Sequence, residues 1–192
     1  MSTAPAPVPA VDTPSPVVSG IDREAPVPPR TPPAFRVGDV VVHHAEASDI
    51  PAIVTLNNLY APDGLTLRRS EEFVTSHVQD YQIIRGDDGR ILGQVALDEY
   101  APSLVEIVSL AVAPDQQGNG LGQCLITAAE HLARERGHHE LFAISLAEAL
   151  FLRMGYTLTS IEIYPEKIAR YRTISRSELS IGRKFCFTKR LR

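Results

Sequence analysis

The stretch from Val112 to Gly122 reads Val-Ala-Pro-Asp-Gln-Gln-Gly-Asn-Gly-Leu-Gly and has the strongest bearing on the fold. A largely apolar run, residues 107–112, leads into it, and a long amphipathic run, residues 121–136, leaves it. This order predicts a strand, a glycine loop and a helix. Because Gly118, Gly120 and Gly122 alternate, the loop carries few side chains, and its backbone N–H groups can converge on one anion at the positive end of the helix. We therefore predict a phosphate or pyrophosphate site.

Three phosphate-binding patterns compete for this loop. The Walker pattern needs a lysine directly after its last glycine, and the first lysine of the chain is Lys167, so this pattern is excluded. The dinucleotide pattern Gly-x-Gly-x-x-Gly fails in both registers, because neither has the third glycine. The third pattern, Gln/Arg-x-x-Gly-x-Gly, is met by Gln117, Gly120 and Gly122. A glycine-rich turn that merely starts a helix is the alternative interpretation.

The elements on either side of the loop predict the fold. Periodicity and turn residues predict strands over residues 40–44, 81–84, 91–97, 104–112, 140–145, 156–163 and 184–191, and helices that start near residue 49 and over 71–79, 121–136 and 148–154. Together with the Gln-x-x-Gly-x-Gly loop, this order resembles the GNAT N-acetyltransferase superfamily. The resemblance implies an α/β (α+β) fold with a mixed, mostly antiparallel central sheet flanked by helices.

Several segments are similar to the acetyltransferase domain of N-acetylglutamate synthase. These segments are Gly64–Ser70, Tyr81–Ile84, Val105–Ile107, Leu141–Ser145 and Pro165–Ile168. The resemblance covers most of residues 40–191. Since the sequence has no amino-acid-kinase-like domain, we expect the short form of this family.

The resemblance also implies a cosubstrate and a place for it. Acetyl-coenzyme A would donate the acetyl group directly to an amine, so that positioning supplies much of the rate. Backbone groups of Leu110 and Val112 would line the pantetheine arm, with Ala111 between them. The pyrophosphate would be held by the loop residues Gln117, Gly118, Asn119, Gly120, Leu121 and Gly122.

Glu106 is the candidate general base. It lies four residues before Leu110, and the period of two along a strand predicts that both side chains share one face. A carboxylate is a weak direct base for an ammonium group, so we expect it to act through water. A surface or salt-bridged glutamate is the alternative. Phe151 stands where many superfamily members have a tyrosine acid, and no acid is assigned.

Arginines are the candidate acceptor ligands. A glutamate acceptor brings two carboxylates, which arginine binds with two parallel hydrogen bonds. Arg68 matches the family's substrate-binding arginine, and Arg69 is the second choice. Arg176 and Ser177 resemble the family's C-terminal arginine and serine, whereas another register selects residues 183 and 184. Solvated surface cations are the alternative for all of them.

Composition bounds the remaining possibilities. Ten of the 15 prolines lie in residues 1–36, which we expect to be an extended, disordered tail before one domain, residues 37–192. The net charge of −4 argues against a nucleic-acid binder, and no apolar stretch approaches the roughly 18 residues of a membrane span. Cys124 and Cys186 lack metal or redox spacing, and the histidines offer no ligand set.

The sequence thus predicts a cytoplasmic acetyl-coenzyme A-dependent N-acetyltransferase that acts on the α-amine of L-glutamate in arginine biosynthesis, with a homodimer left open. A first alternative is an enzyme for another amine, such as a polyamine or a peptide N-terminus, and Asp98 with Glu99 could begin the carboxylate-lined pocket that a polyamine needs. A second alternative is a catalytically silent acetyl-coenzyme A-binding module.

Overall fold

The computed structural model describes residues 34–101, 104–172 and 184–191. Hydrophobic alternation and turn glycines divide these residues into strands and helices. The strands are β1 (Phe35–Val37), β2 (Val40–His44), β3 (Tyr81–Arg85), β4 (Ile91–Ala101), β5 (Leu104–Val112), β6 (Glu140–Ser145), β7 (Thr157–Thr159) and β8 (Phe185–Arg190). The helices are α1 (Ile50–Leu59), α2 (Glu71–Ser76), α3 (Leu121–Glu135), α4 (Glu148–Arg153) and α5 (Pro165–Tyr171).

In the described residues, these strands form an eight-stranded sheet in the order β1-β2-β3-β4-β5-β6-β8-β7. Neighbouring strands run antiparallel except β5 and β6, which are parallel. The predicted fold class, a mixed and mostly antiparallel sheet flanked by helices, is confirmed.

The two faces of the sheet bury different helices. Val95 and Leu97 of β4 pack into the cluster that contains the apolar side of α3, and Ala96 between them packs into the cluster that contains α1. Leu125 of α3 and Ile53 of α1 are both fully buried. Because burial of such a side chain contributes about 1.5–3 kcal/mol, these contacts fix both helices against the sheet.

A β-bulge interrupts β5. Two of its residues, Ser109 and Leu110, stand opposite the single residue Val95 of β4. Ser109 has φ 52°, and no other non-glycine residue in the described part of the chain has a positive φ. The extra residue shifts the alternation by one, so Val108 packs towards α1 whereas Leu110 packs towards α3. The prediction that Glu106 and Leu110 share a face is therefore wrong.

The bulge lies where β5 and β6 separate. The two strands pair only at residues 105–107 and 141–143. Beyond these residues β5 continues alongside β4, and β6 stays paired with β8 to its end. A cleft therefore opens between the C-terminal halves of β5 and β6.

Several elements differ from the predictions, and β4 extends four residues beyond its predicted end, to Ala101. The sheet begins at Phe35, two residues inside the predicted tail, whose residues 1–33 lie outside the described part. The predicted helix 71–79 ends at Ser76, and the predicted strand 156–163 is reduced to β7. Helix α5, which Pro165 begins, was not predicted. No helix in the described ranges is long and apolar enough to cross a membrane.

The residues directly before α1 and α2 make different contacts. Ser70 caps α2, since its hydroxyl accepts the N–H of Phe73 at 3.1 Å. Asp49 precedes α1 but does not cap it with its side chain. Its carboxylate instead accepts hydrogen bonds from the backbone N–H of Glu46 and from the Arg85 guanidinium.

Candidate active site

The loop between β5 and α3 ends at an open helix N-terminus. Gly118 and Gly120 have φ 82° and 80°, a left-handed conformation that costs other residues about 1–2 kcal/mol. No side chain caps the first turn of α3. The N–H groups of residues 120–122 find no acceptor within the described residues. Free N–H groups at the positive end of a helix can bind an anion, as the sequence predicts.

Tyr60, the residue directly after α1, holds the start of this loop. The Tyr60 hydroxyl donates to the carbonyl oxygen of Val112, and Nε2 of Gln117 donates to the same hydroxyl at 2.8 Å. The Gln117 amide also lies 3.4 Å from the Val112 oxygen. Tyr60 therefore orients both ends of the turn that connects β5 to the glycines.

A cavity of about 440 Å³ lies above the loop, and we call it the glycine-loop cavity. Its wall includes most of the predicted cofactor-binding residues, namely Leu110, Ala111, Val112, Gln117, Gly118, Gly120, Leu121 and Gly122. Asn119 is exposed and is not part of this wall. Tyr60 and Arg153 also line the cavity, and Arg153 adds a cation beside the anion-binding loop.

A second cavity of about 540 Å³, the Glu106 cavity, continues the first one along β5. Leu65, Thr66, Leu110 and Ser145 line both cavities. The two cavities therefore form one cleft, which runs from the glycine loop to Glu106. The charged residues in the wall of the Glu106 cavity are Arg69, Glu106, Lys167 and Lys184.

Ser145 stands where the two cavities meet. The backbone N–H of Ala147 donates to its hydroxyl at 3.0 Å, just before α4 begins. The Ser145 hydroxyl therefore supports the backbone at the start of α4.

Glu106 lies at the bottom of its cavity and is 3% exposed. The ammonium of Lys167 is 2.6 Å from Oε2 of Glu106, and the Tyr100 hydroxyl donates to the same oxygen at 2.8 Å. Burial raises the pKa of the Glu106 carboxyl, and the Lys167 charge and the two hydrogen bonds oppose that rise. Glu106 is thus a buried, salt-bridged carboxylate that still borders the cleft.

A second ion pair lies beside the first. Asp98 of β4 is the cross-strand neighbour of Glu106, and it accepts a hydrogen bond from Arg170. Lys167 and Arg170 are one turn apart on α5, so the helix places one cation on each carboxylate. These two pairs hold α5 against the sheet.

The two acidic residues considered for a polyamine pocket are occupied elsewhere. Asp98 is paired with Arg170, and Glu99 is 3.0 Å from the Arg136 guanidinium and 3.3 Å from Nε2 of His138. Neither carboxylate lines the cleft. The carboxylate-lined pocket expected for a polyamine is therefore not formed by these residues.

The segment before α2 is anchored by two asparagines of α1. Nδ2 of Asn57 donates to the carbonyl of Leu67 at 2.7 Å, and the backbone of Asn57 accepts the Thr66 hydroxyl at 2.6 Å. The Asn58 amide bonds both the N–H and the carbonyl of Arg69, at 2.9 and 2.8 Å. These contacts fix the backbone of the segment that carries Arg69.

The structure separates the two candidate arginines of this segment. Arg69 is half-buried and lines the Glu106 cavity, and its guanidinium lies 4.1 Å from the centroid of the Phe73 ring. Its Nε is buried without a hydrogen-bond partner in the described residues. Arg68 is exposed and does not line either cavity. Of the two, Arg69 is therefore the one that the structure places at the cavity.

Of the C-terminal candidates, Lys184 lies within the described residues. Arg176, Ser177 and Arg183 lie outside the described residues. Lys184 lines the Glu106 cavity and donates to the carbonyl of Leu65 at 3.4 Å. Burial, with the neighbouring Lys167 charge, lowers the pKa of the Lys184 ammonium.

Four residues of the site were not predicted from the sequence, namely Tyr60, Tyr100, Arg153 and Lys167. One signal for Lys167 was present, because Pro165 can begin a helix and Lys167 and Arg170 then fall on one side of it. No comparable signal existed for the tyrosines, whose partners are distant in sequence.

A splayed sheet with an anion-binding glycine loop beside the gap is an arrangement suited to a phosphate-bearing acyl donor. Residues 51–156 match the model of the acetyltransferase (GNAT) family. The chain belongs to this family and is an acetyl-coenzyme A-dependent N-acetyltransferase. The predicted superfamily and cosubstrate are confirmed.

Curated relatives include proteins with and without a named substrate. An uncharacterized N-acetyltransferase of Chlorobaculum tepidum is 35% identical over 132 residues, which cover 69% of this chain and 84% of the relative. An amino-acid acetyltransferase of Neisseria meningitidis is 33% identical over 129 residues, which cover 66% of this chain and 29% of the relative. The chain therefore spans less than a third of the length of the Neisseria protein.

Solved structures extend the comparison. N-acetylglutamate synthase from Neisseria gonorrhoeae, in complex with coenzyme A and N-acetyl-glutamate, has a TM-score of 0.72 and 29% identity, covering 82% of this chain and 36% of that one. The Mycobacterium tuberculosis protein Rv2747, in complex with CoA, has a TM-score of 0.69 and 25% identity, covering 79% of this chain and 99% of that one.

Proposed function

We propose that this enzyme acetylates the α-amine of L-glutamate. The observation that carries the proposal is the charge of the Glu106 cavity. Arg69, Lys167 and Lys184 contribute three cations, and Glu106 contributes the only carboxylate among the described lining residues. The wall has an excess of two positive charges, and glutamate brings two carboxylates.

The shape of the cleft supports direct transfer. With its pyrophosphate at the glycine loop, acetyl-coenzyme A would extend along β5 towards the Glu106 cavity, where the acceptor binds. The neutral amine attacks the thioester carbonyl, a C–N bond forms and the C–S bond breaks. Glu106 accepts the amine proton through water, and coenzyme A leaves as a thiolate that solvent protonates.

Arg69 is assigned to one acceptor carboxylate in place of the first predicted candidate, Arg68. Its backbone is held by Asn58, its guanidinium lies against the Phe73 ring, and its buried Nε has no hydrogen-bond partner in the described residues. Lys184 is the candidate for the second carboxylate. It is far from Arg69 in the sequence, but its cation lines the same cavity. The roles of Arg176 and Ser177 stay predictions.

The comparisons are consistent with an acidic acceptor. Several relatives are named amino-acid acetyltransferase, and one structural neighbour was solved with N-acetyl-glutamate. Arginine biosynthesis, a cytoplasmic location, a homodimer and the absence of nucleic-acid or membrane partners stay predictions.

The test is thiol release from acetyl-coenzyme A with all twenty amino acids and spermidine as acceptors. We expect turnover with glutamate and little with amino acids that lack a side-chain carboxylate. Turnover with spermidine in preference to glutamate would overturn the proposed acceptor. Binding of acetyl-coenzyme A without turnover of any amine would instead favour the silent module.

A further inference from the structure

A lysine is buried against the candidate base. Lys167 is 4% exposed, and its ammonium contacts Oε2 of Glu106 at 2.6 Å and the Tyr100 hydroxyl at 3.0 Å. It also lies 4.7 Å from the centroid of the Tyr171 ring. A charge is rarely buried so completely unless a partner compensates for its lost hydration. Glu106 is that partner, so the protonation of the two side chains is linked.

The contacts to Glu106 are one-sided. The hydrogen bonds from Lys167 and Tyr100 both end on Oε2. No hydrogen bond to Oε1 occurs within residues 34–101, 104–172 and 184–191. Because Glu106 borders the cleft, Oε1 is the carboxylate oxygen that remains available to water or to an acceptor amine.

We propose that Lys167 and Tyr100 are positioning residues, which hold Oε2 of Glu106 and keep the carboxylate ionised so that Oε1 accepts the proton of the acceptor amine. This inference rests on the proposed function, since it gives Glu106 the role of base. Neither residue is required to touch the acetyl group. Their effect reaches the reaction through the direction and the charge of Glu106.

The sign of the effect follows from the groups around Glu106. Those that face it or its partners are Asp98 and Tyr100 from β4, Lys167, Arg170 and Tyr171 from α5, and Lys184 and Cys186 at the start of β8. Burial and the Asp98 charge favour the protonated carboxyl, whereas Lys167 favours the carboxylate. Arg170 is already engaged with Asp98. Removal of the Lys167 charge should therefore make Glu106 harder to ionise.

The experiment compares the pH dependence of kcat/KM for the acceptor in the wild-type enzyme, Lys167→Met and Lys167→Arg. The acidic limb reports ionisation of the base in the free enzyme. We expect its midpoint to rise by about one pH unit or more in Lys167→Met and to stay near the wild-type value in Lys167→Arg, which keeps the charge. A lower kcat with an unmoved limb in Lys167→Met would overturn the proposal.

A second readout separates this proposal from the proposed function. Titration of ¹³C-labelled glutamate carboxyls by NMR, with Glu106→Gln to assign the resonance, measures the pKa of Glu106 without any turnover. If no acidic amino acid is acetylated, the proposed function fails. The change in the Glu106 pKa between wild type and Lys167→Met still tests whether Lys167 keeps Glu106 ionised. An equal Glu106 pKa in wild type and Lys167→Met would overturn it.

A milder variant covers the case in which Lys167→Met does not fold. Tyr100→Phe removes one hydrogen bond to Oε2 but leaves the ion pair, and acetyl-coenzyme A binding by calorimetry verifies that the variant is folded. We expect the Glu106 pKa to move upward by less than one unit. An unchanged Glu106 pKa in Tyr100→Phe would show that the hydrogen bond from Tyr100 has no influence on the base.

Discussion

Replacement of Arg69 and Arg68 by alanine, one at a time, tests the acceptor site with a matched pair. The two residues are adjacent and carry the same charge, but only Arg69 lines the Glu106 cavity. We expect Arg69→Ala to raise the KM for glutamate strongly. Arg68→Ala should leave it near the wild-type value, because an exposed cation in solvent contributes little.

The magnitude follows from the position of the guanidinium. A hydrogen bond to a charged partner contributes about 1.5–3 kcal/mol. Because Arg69 is half-buried in the cavity wall, solvent screens its charge less than it screens the charge of a surface group. A loss of about 2–3 kcal/mol corresponds to a rise of about 30- to 150-fold in KM. Arg69→Lys should recover only part of this loss, because an ammonium cannot form two parallel hydrogen bonds.

The assay is the initial rate of thiol release at varied glutamate and saturating acetyl-coenzyme A. The dissociation constant of acetyl-coenzyme A, measured by calorimetry, serves as the control and should stay within about twofold of wild type. Equal effects of Arg68→Ala and Arg69→Ala would show that long-range charge, and not the placement of Arg69, governs acceptor binding. A wild-type KM in Arg69→Ala would refute the acceptor role altogether.

Three further predictions concern the loop, its support and a buried thiol. Gly120→Ala forces a side chain into a φ of 80°, which costs about 1–2 kcal/mol, so the Kd of acetyl-coenzyme A measured by calorimetry should rise about 5- to 30-fold. Tyr60→Phe leaves the Val112 carbonyl without its hydroxyl donor, and the same Kd should rise by a similar factor at a cost of about 1–2 kcal/mol. Burial, with the Glu106 charge, raises the pKa of Cys186 to about 11, so iodoacetamide at pH 8 should modify this thiol about a hundredfold more slowly in the native chain than in urea, as followed by mass spectrometry.

Each of these predictions has its own control. Gly38 also has a positive φ, 59°, and an added Cβ meets nothing within 4 Å at either glycine, so Gly38→Ala should cost similar stability without any change in the Kd. An unchanged Kd in Gly120→Ala or in Tyr60→Phe would remove the loop or its support from cofactor binding. Equal rates of Cys186 modification in native and unfolded chains would contradict the raised pKa.

The parts of the fold that the sequence predicts well are those with local causes. The glycine loop was predictable because a positive φ at Gly118 and Gly120 and the start of α3 depend on neighbouring residues. Strands β5 and β6 were predicted at their observed bounds, since both are apolar runs between turn residues. The start of α2 also has a local cause, because Ser70 bonds a group three residues away.

The bulge in β5 could not be predicted from the strand itself. It arises from the register with β4, where one residue, Val95, faces two. A period of two assigns Glu106 and Leu110 to one face only when the strand is regular. The positive φ of 52° occurs at Ser109, and no glycine in the sequence indicates it. The Ser109 hydroxyl lies 3.2 Å from the Tyr81 hydroxyl, which is another contact across the sheet.

The arrangement of the acceptor-binding residues also could not be predicted, because it depends on contacts between residues distant in sequence. The orientation of residues 68 and 69 is set by Asn58, which precedes Arg69 by eleven residues, and a coil has no periodicity from which to infer it. Helix α5 is short, and its ion pairs join Lys167 and Arg170 to strands more than sixty residues earlier. The charges were visible in the sequence, but their pairing was not.

The end of α1, together with Tyr60 directly after it, connects the two halves of the cleft. Asn57 and Asn58 hold the segment that carries Arg69, and Tyr60 holds the Val112 carbonyl and Gln117 at the loop. One helical turn, about 5.4 Å of rise, thus supports contacts to both the acceptor wall and the donor loop. Direct transfer requires the amine and the thioester carbon to approach to about 3–3.5 Å, so small displacements between the two halves are costly. A support shared by both halves limits such displacements. We therefore expect this turn to influence the rate of transfer although its residues lie away from Glu106.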